Sequence, residues 1–220
     1  MPKKVTLTTP SIDPLDLPDL VDGIVGDLAA HGMFDVTRFA DADISGVDLS
    51  GISFTECELA GLTAHETQFR AARFVQTRIE RLNAPVFAAA RATIQDAEIL
   101  RSRLGSVELY DGEIQRVTVT GSKLGWVNLR AARLCDVQFT GCTIDELDLT
   151  NARLARVAFE DCAVQTLRLD GARLVHVDLR GLDMHVIAGV ENLTGATLSH
   201  AQTVLMAPLF AEHFGITVAG

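Results

Sequence analysis

Apolar side chains recur along this chain at every fifth residue. The series runs from Phe39, Ile44, Leu49, Phe54 and Leu59 through to Leu174, Leu179 and Met184, and all thirty of its positions are apolar. With about half of all residues apolar, thirty successes by chance is on the order of one in 10⁹. Neither the 3.6-residue helix period nor the two-residue strand period produces this spacing. A second apolar position lies two residues earlier and carries small or β-branched residues, among them Ala42, Val47, Cys57, Ala72, Val107, Val117, Val127, Ala132, Val137, Ala152, Val157, Ala172 and Val177. The other three positions of each five are mostly Asp, Arg, Glu, Gln, Thr and Gly, which places them outside. Ala-Arg-Leu returns at 132–134, 152–154 and 172–174, so a longer period of twenty residues overlies the shorter one.

These residues give the chain a resemblance to the pentapeptide-repeat family, whose loose motif is Ala-(Asp/Asn)-Leu-x-x, over residues 37–186. The departures, Arg, Asp, Gln or Thr between the two inward positions, fall on the outer surface. The resemblance implies an all-β solenoid, a right-handed quadrilateral β-helix with four pentapeptides per coil. Thirty repeats then make about seven and a half coils, a rod of roughly 35 Å at the ~4.8 Å strand spacing. A single coil buries too little to fold alone, so coils must support one another and both ends need caps.

The caps are expected at 1–36 and 187–220. In the first, Leu20, Ile24 and Leu28 share one helical face between Asp19 and Ala30, weakened by Gly23 and Gly26, which predicts a short helix over the first coil. In the second, Ser199 and Gln202 have capping-box spacing. Pro208 should split the following helix in two, Gly215 should end it, and Ile216–Val218 should add a strand. Val204, Leu205, Leu209 and Phe210 are apolar on more than one face. Either they lid the last coil, or they also seal a homodimer, as the resemblance to quinolone-resistance pentapeptide proteins implies.

Inside the repeats, Ala64, Ala84 and Ala89 leave space that Phe87 should fill, and Pro85 sits at an outward position beside them. Aromatic residues are only 5% of the chain, which predicts a narrow interior filled by aliphatic layers. Cys142 and Cys162 are inward and one coil apart, either as a disulfide or as stacked buried thiols. With Cys57 and Cys135 they lack metal-type spacing.

Net charge is −10 over 220 residues, which opposes binding to nucleic acid or an anionic membrane. By segment the picture changes. Residues 1–36 carry −4, residues 187–220 carry −2, and residues 67–133 hold eleven basic against six acidic side chains. The rod therefore has a basic waist between acidic ends. His31, His65, His176, His185, His200 and His213 show no ligand spacing, and neither a phosphate loop nor a nucleophile motif appears. The expectation is a protein that is not an enzyme, with no cofactor and no metal. Met1–Lys4 is basic but is not followed by an apolar leader segment, and no run approaches a membrane span, so a cytoplasmic protein is expected.

Two outward features invite a partner. Arg133, Arg153 and Arg173 fall on one face of consecutive coils, either as a contact for an anionic partner or as a solvated ladder. Trp126 and Tyr110, the only Trp and the only Tyr, sit around one corner, with Arg130 stacked over Tyr110 and Lys123 nearby. Either they anchor a protein partner or they pack as a cation–π surface. The resemblance implies one specific role, modulation or protection of DNA gyrase by mimicry of DNA, with antibiotic resistance as its outcome. The alternative is a scaffold for an unrelated protein partner.

Overall fold

The computed structural model describes residues 6–218; the basic start Met1–Lys4 lies outside the described residues. The chain winds as a parallel β-solenoid of about nine turns. Every main ladder is parallel with an offset of twenty residues: Leu104, Leu124 and Ile144 stand in register, as do Leu134, Leu154 and Leu174. The turn count exceeds seven and a half because stacking continues past both ends of the apolar series. Val21–Asp22 pairs with Thr37–Arg38, and Ala196–Thr197 pairs with Val177–Asp178.

The five-residue period becomes a corner through one backbone conformation. Two residues after an inward side chain the chain enters the left-handed region, as at Asp41, Glu56, Gly61, Asp96, Arg116 and Gly141, with φ between 47° and 66°. A non-glycine residue there costs roughly 1–2 kcal/mol, offset by the coil-to-coil hydrogen bonds on either side. One column of corners changes along the rod. Gly46 and Glu66 are left-handed, whereas Val86, Ser106, Trp126, Glu146 and Thr166 are not and lie within six- and seven-residue strands. β-Branched Val86 and Thr166 disfavour the left-handed region. That side of the rod is consequently a continuous sheet from Asn83–Ala88 to Leu182–Ala188.

Every residue of the five-residue apolar series from Phe39 to Leu179 is buried, and Met184 is partly so, as are Ala42 and Val47 at the second inward position. The filling is not purely aliphatic. Phe34, Phe54 and Phe74 form a ladder of rings at 5.8 and 5.6 Å, and Phe139 stacks on Phe159 at 4.9 Å. Phe34 extends the apolar series one step beyond Phe39. Phe87 does fill the space beside the alanines, lying 5.2 Å from Phe69 and 6.3 Å from Phe74. Between the two groups of rings, layers of Ile, Leu and Val leave an apolar cavity of about 50 Å³ from Phe87 to Phe139.

One interior column is polar. Ser102 Oγ accepts from Leu82 N at 3.1 Å, and Ser122 Oγ accepts from Ser102 N at 3.1 Å. One coil further along, Cys142 N donates to Cys162 Sγ at 3.4 Å. Both cysteines are free thiols, which decides between the two arrangements. A hydrogen bond between the two thiol side chains, together with burial, pushes the Cys142 thiol up.

The ends depart from expectation in two places. The predicted N-terminal helix is replaced by the strand Val21–Asp22 and a single 3₁₀ turn, Val25–Asp27; Leu28 is buried while Ile24 is exposed. Gly23 explains the choice, because a Cβ there would lie 2.4 Å from the Phe39 ring. At the other end Ser199 and Gln202 form the expected capping box. Two helices follow, α1 (His200–Leu205) and α2 (Ala207–His213), which carries Pro208 in its first turn. The Gln202 amide also donates to the carbonyls of Leu179 and Leu182 at 2.7 and 2.8 Å, which fastens α1 over the last coil. Ile216–Val218 forms no strand.

Ahead of Val21 the chain makes a strap. Residues 6–20 have no regular structure, yet they touch the rod along most of its length. Thr8 N donates to His176 Nδ1 at 3.4 Å, Ser11 N to Asp136 Oδ1 at 3.0 Å, and Leu15 O accepts from Arg78 Nη2 at 3.4 Å. The strap thus runs back from the last coils to the first.

Candidate protein-interaction surfaces

Trp126 lies in the strand Lys123–Asn128, flanked in register by Ser106 and Glu146. Extended backbone at this corner points its ring outward, 40% exposed. The residues just before it in the strand, Lys123 and Gly125, line a recess of about 260 Å³ with Arg103, Gly105, Thr143 and Asp145, which Trp126 itself does not line. The two glycines make its floor. A Cβ at Gly125 would stand 2.1 Å from the Gly105 carbonyl oxygen, and one at Gly105 would stand 2.6 Å from that of Pro85. Coil stacking at full closeness therefore requires glycine here, and the missing side chains leave a trough with two cations on its rim. The signal was present in Gly-Ser-Lys-Leu-Gly-Trp, but the role of Gly105 shows only once the coils are in register.

Tyr110 and Arg130 stand one coil apart, joined through Asp111 N and Arg130 O. Tyr110 is 37% exposed. The Arg130 guanidinium is engaged elsewhere, with Nε 3.4 Å from Asp148, whose carboxylate is nearly buried. Among the described residues no ring contact joins Tyr110 to Trp126, so the corner is two separate aromatic sites on neighbouring faces.

Arg133, Arg153 and Arg173 are in register as expected. Arg133 Nη1 pairs with Glu113 at 3.2 Å, both side chains exposed; among the described residues Arg153 and Arg173 have no acidic partner. Arg156 does not belong to this ladder. It sits in a neighbouring column in which Asp96, Arg116, Asp136 and Arg156 alternate in charge coil by coil and His176 follows. Arg116 holds Asp96 with two nitrogens, and Arg156 grips Asp136 at 2.6 Å through each of two nitrogens. The Arg156 guanidinium, with help from the Ser11 amide, holds the Asp136 carboxyl at about 2 against the opposing effect of burial.

At the C-terminal end Val204 and Leu205 are 59% and 80% exposed, while Leu209 and Phe210 are half-buried. Phe214 and Ile216 add exposed apolar surface beside them.

Among the described residues no group of His, Cys, Asp or Glu has the arrangement to hold a metal ion, and no helix is long and apolar enough to cross a membrane. No curated protein sequence matches this chain. Solved structures to which it is similar include HetL, a pentapeptide repeat protein involved in heterocyst differentiation regulation from the cyanobacterium Nostoc sp. strain PCC 7120. That likeness has 17% identity over 77% of this chain and 90% of HetL, with a TM-score of 0.34. Another is QnrB1, a plasmid-mediated fluoroquinolone resistance protein, at 18% identity over 89% of this chain and 95% of that one, with a TM-score of 0.32. Residues 113–187 match the family model of a pentapeptide repeat region, and residues 37–75 match that of pentapeptide repeats in eight copies. Those two stretches take in more than half of the sequence and coincide with the stacked coils: the chain belongs to the pentapeptide-repeat family.

Proposed function

We propose that this protein is a non-catalytic protein-interaction rod of the cytoplasm. The observation that carries the reading is the recess beside Trp126, floored by Gly105 and Gly125 and rimmed by Arg103 and Lys123. An exposed Trp next to a small trough with two cations, Arg103 and Lys123, and one carboxylate, Asp145, suits an aromatic anchor with an acidic side chain of a partner held by the cations beside it. The interior supports the same view, because it is filled almost throughout by apolar side chains, whose layers serve stacking.

Within that class, modulation or protection of DNA gyrase is the specific role to test first, on the strength of family membership; fold alone is a weak guide to function. Imitation of duplex DNA draws support only from the acidic ends, since the waist is basic. A scaffold for a different protein partner is the second reading, favoured by that same basic waist. A supercoiling assay with and without a fluoroquinolone separates them. Inhibition of gyrase, or rescue from the drug, at micromolar protein supports the first, and neither effect discards it. In either case Trp126→Ala should weaken partner binding about ten-fold or more and change the unfolding free energy by less than about 1 kcal/mol.

The C-terminal pair of helices is proposed as a homodimer contact through Val204, Leu205, Leu209 and Phe210, in addition to capping the last coil. Exposed Val204 and Leu205 beside Phe214 and Ile216 support it. Sedimentation at micromolar concentration should give a dimer that Leu205→Asp converts to monomer; an unmodified chain that sediments as a monomer removes the proposal.

A further inference from the structure

The strap is bound as a peptide ligand would be. Its three hydrogen bonds to the rod use main-chain atoms, Thr8 N, Ser11 N and Leu15 O, while the rod supplies the side chains of His176, Asp136 and Arg78. Leu7, Ile12, Leu15 and Leu17 are half-buried, and none of residues 6–20 is fully buried. The fit is loose. A crevice of about 220 Å³ remains between Ile12–Leu15 and Asp96, Arg116 and Thr118, and another of about 300 Å³ remains between Leu7 and Val175–His176. The strap carries Asp13, Asp16 and Asp19 and no cation; on the rod, Arg78 reaches Leu15 and Arg116 lines the crevice beside Asp96 and Glu98. Pro10, Pro14 and Pro18 keep it extended and poorly able to pair as a strand.

We propose that the rod face bearing Asp96, Arg116, Asp136 and Arg156 is a groove for an extended, proline-interrupted segment of a partner protein that offers main-chain N–H and C=O groups and leucine-sized side chains, as the strap does. Residues 6–20 occupy it in cis and are exchanged for that segment. The groove lies on a different column from the Trp126 recess and stands independently of the function proposed above. Three main-chain hydrogen bonds and partial apolar burial hold the strap far less firmly than the ladders hold the coils, so it opens without unfolding the rod.

The test uses the full chain and a fluorescein-labelled peptide of residues 6–20. In the full-length variant Leu15→Asp/Leu17→Asp the strap should lose its protection from hydrogen exchange while the strands Glu113–Thr120 and Arg133–Thr140 keep theirs. This variant should bind the peptide at least about ten-fold more tightly than the unmodified chain does, and bind a scrambled peptide about ten-fold more weakly. Equal binding to both chains, binding to neither, or equal binding of the scrambled peptide overturns the proposal. Should the variant fail to fold, the unmodified chain decides. The Ser11 amide should exchange about a hundred-fold faster than that of Val137, and equal protection would make the strap a fixed structural element and overturn its exchange.

Discussion

Ser102 and Ser122 occupy positions that the five-residue pattern assigns to small apolar side chains, and their hydroxyls make them useful there. Each accepts a backbone N–H from the preceding coil and returns its own proton to a carbonyl two residues back, Leu100 O for Ser102 and Thr120 O for Ser122. Ser102→Ala should therefore destabilise by about 1–3 kcal/mol in urea unfolding, through the Leu82 N–H left without an acceptor. Ser102→Cys should recover part of the loss, because Cys162 performs the same task at 3.4 Å. Asp136 acts at the same scale. Its folded pKa of about 2 lies below the ordinary carboxyl value of 3.8, so its contribution is fully present above about pH 4 and is lost as pH falls through about 2. The shift corresponds to about 2 kcal/mol, and Asp136→Asn should flatten the stability profile in that window.

At the scale of elements, inward positions are governed by volume. Leu134 is buried in the middle of its ladder, and Leu134→Arg should abolish soluble folded protein; recovery of a cooperatively melting variant would contradict the register. The aliphatic layers between the two sets of rings are underfilled. Val119 stands in register under Phe139 and lines the cavity, so Val119→Phe should lengthen the Phe139–Phe159 stack and raise stability by about 0.5–2 kcal/mol. Much of this was legible beforehand: the period named the inward residues, and Ser199, Gln202 and Pro208 gave the two C-terminal helices. The N-terminal helix misled because Leu20, Ile24 and Leu28 do have helical spacing. Gly23, forced by contact with Phe39, overrides that spacing through an interaction sixteen residues away. The strap was illegible for a related reason. Its contacts with His176 and Asp136 are 168 and 125 residues distant, and no local pattern encodes them. The Trp126 recess falls between these cases, with its tryptophan and lysine visible in the sequence and its glycine floor visible only after stacking.

On the scale of the whole molecule, a twenty-residue register means that one coil added or removed leaves every other coil undisturbed. The array ends where α1 is fastened over the last coil, a closure that takes no account of how many coils precede it. The strap does. Between Thr8, at His176, and Val21, one coil ahead of Thr37, it spans about eight coils, roughly 38 Å at the strand spacing, with thirteen residues that reach about 45 Å at full stretch. Inserting a further three or four coils between Asp136 and His176 would carry the histidine beyond the reach of Thr8, and deleting two would leave the arm slack. The N-terminal arm is thus a ruler laid against the rod. It makes the number of coils a quantity the molecule can register, in a fold that otherwise has no means of counting.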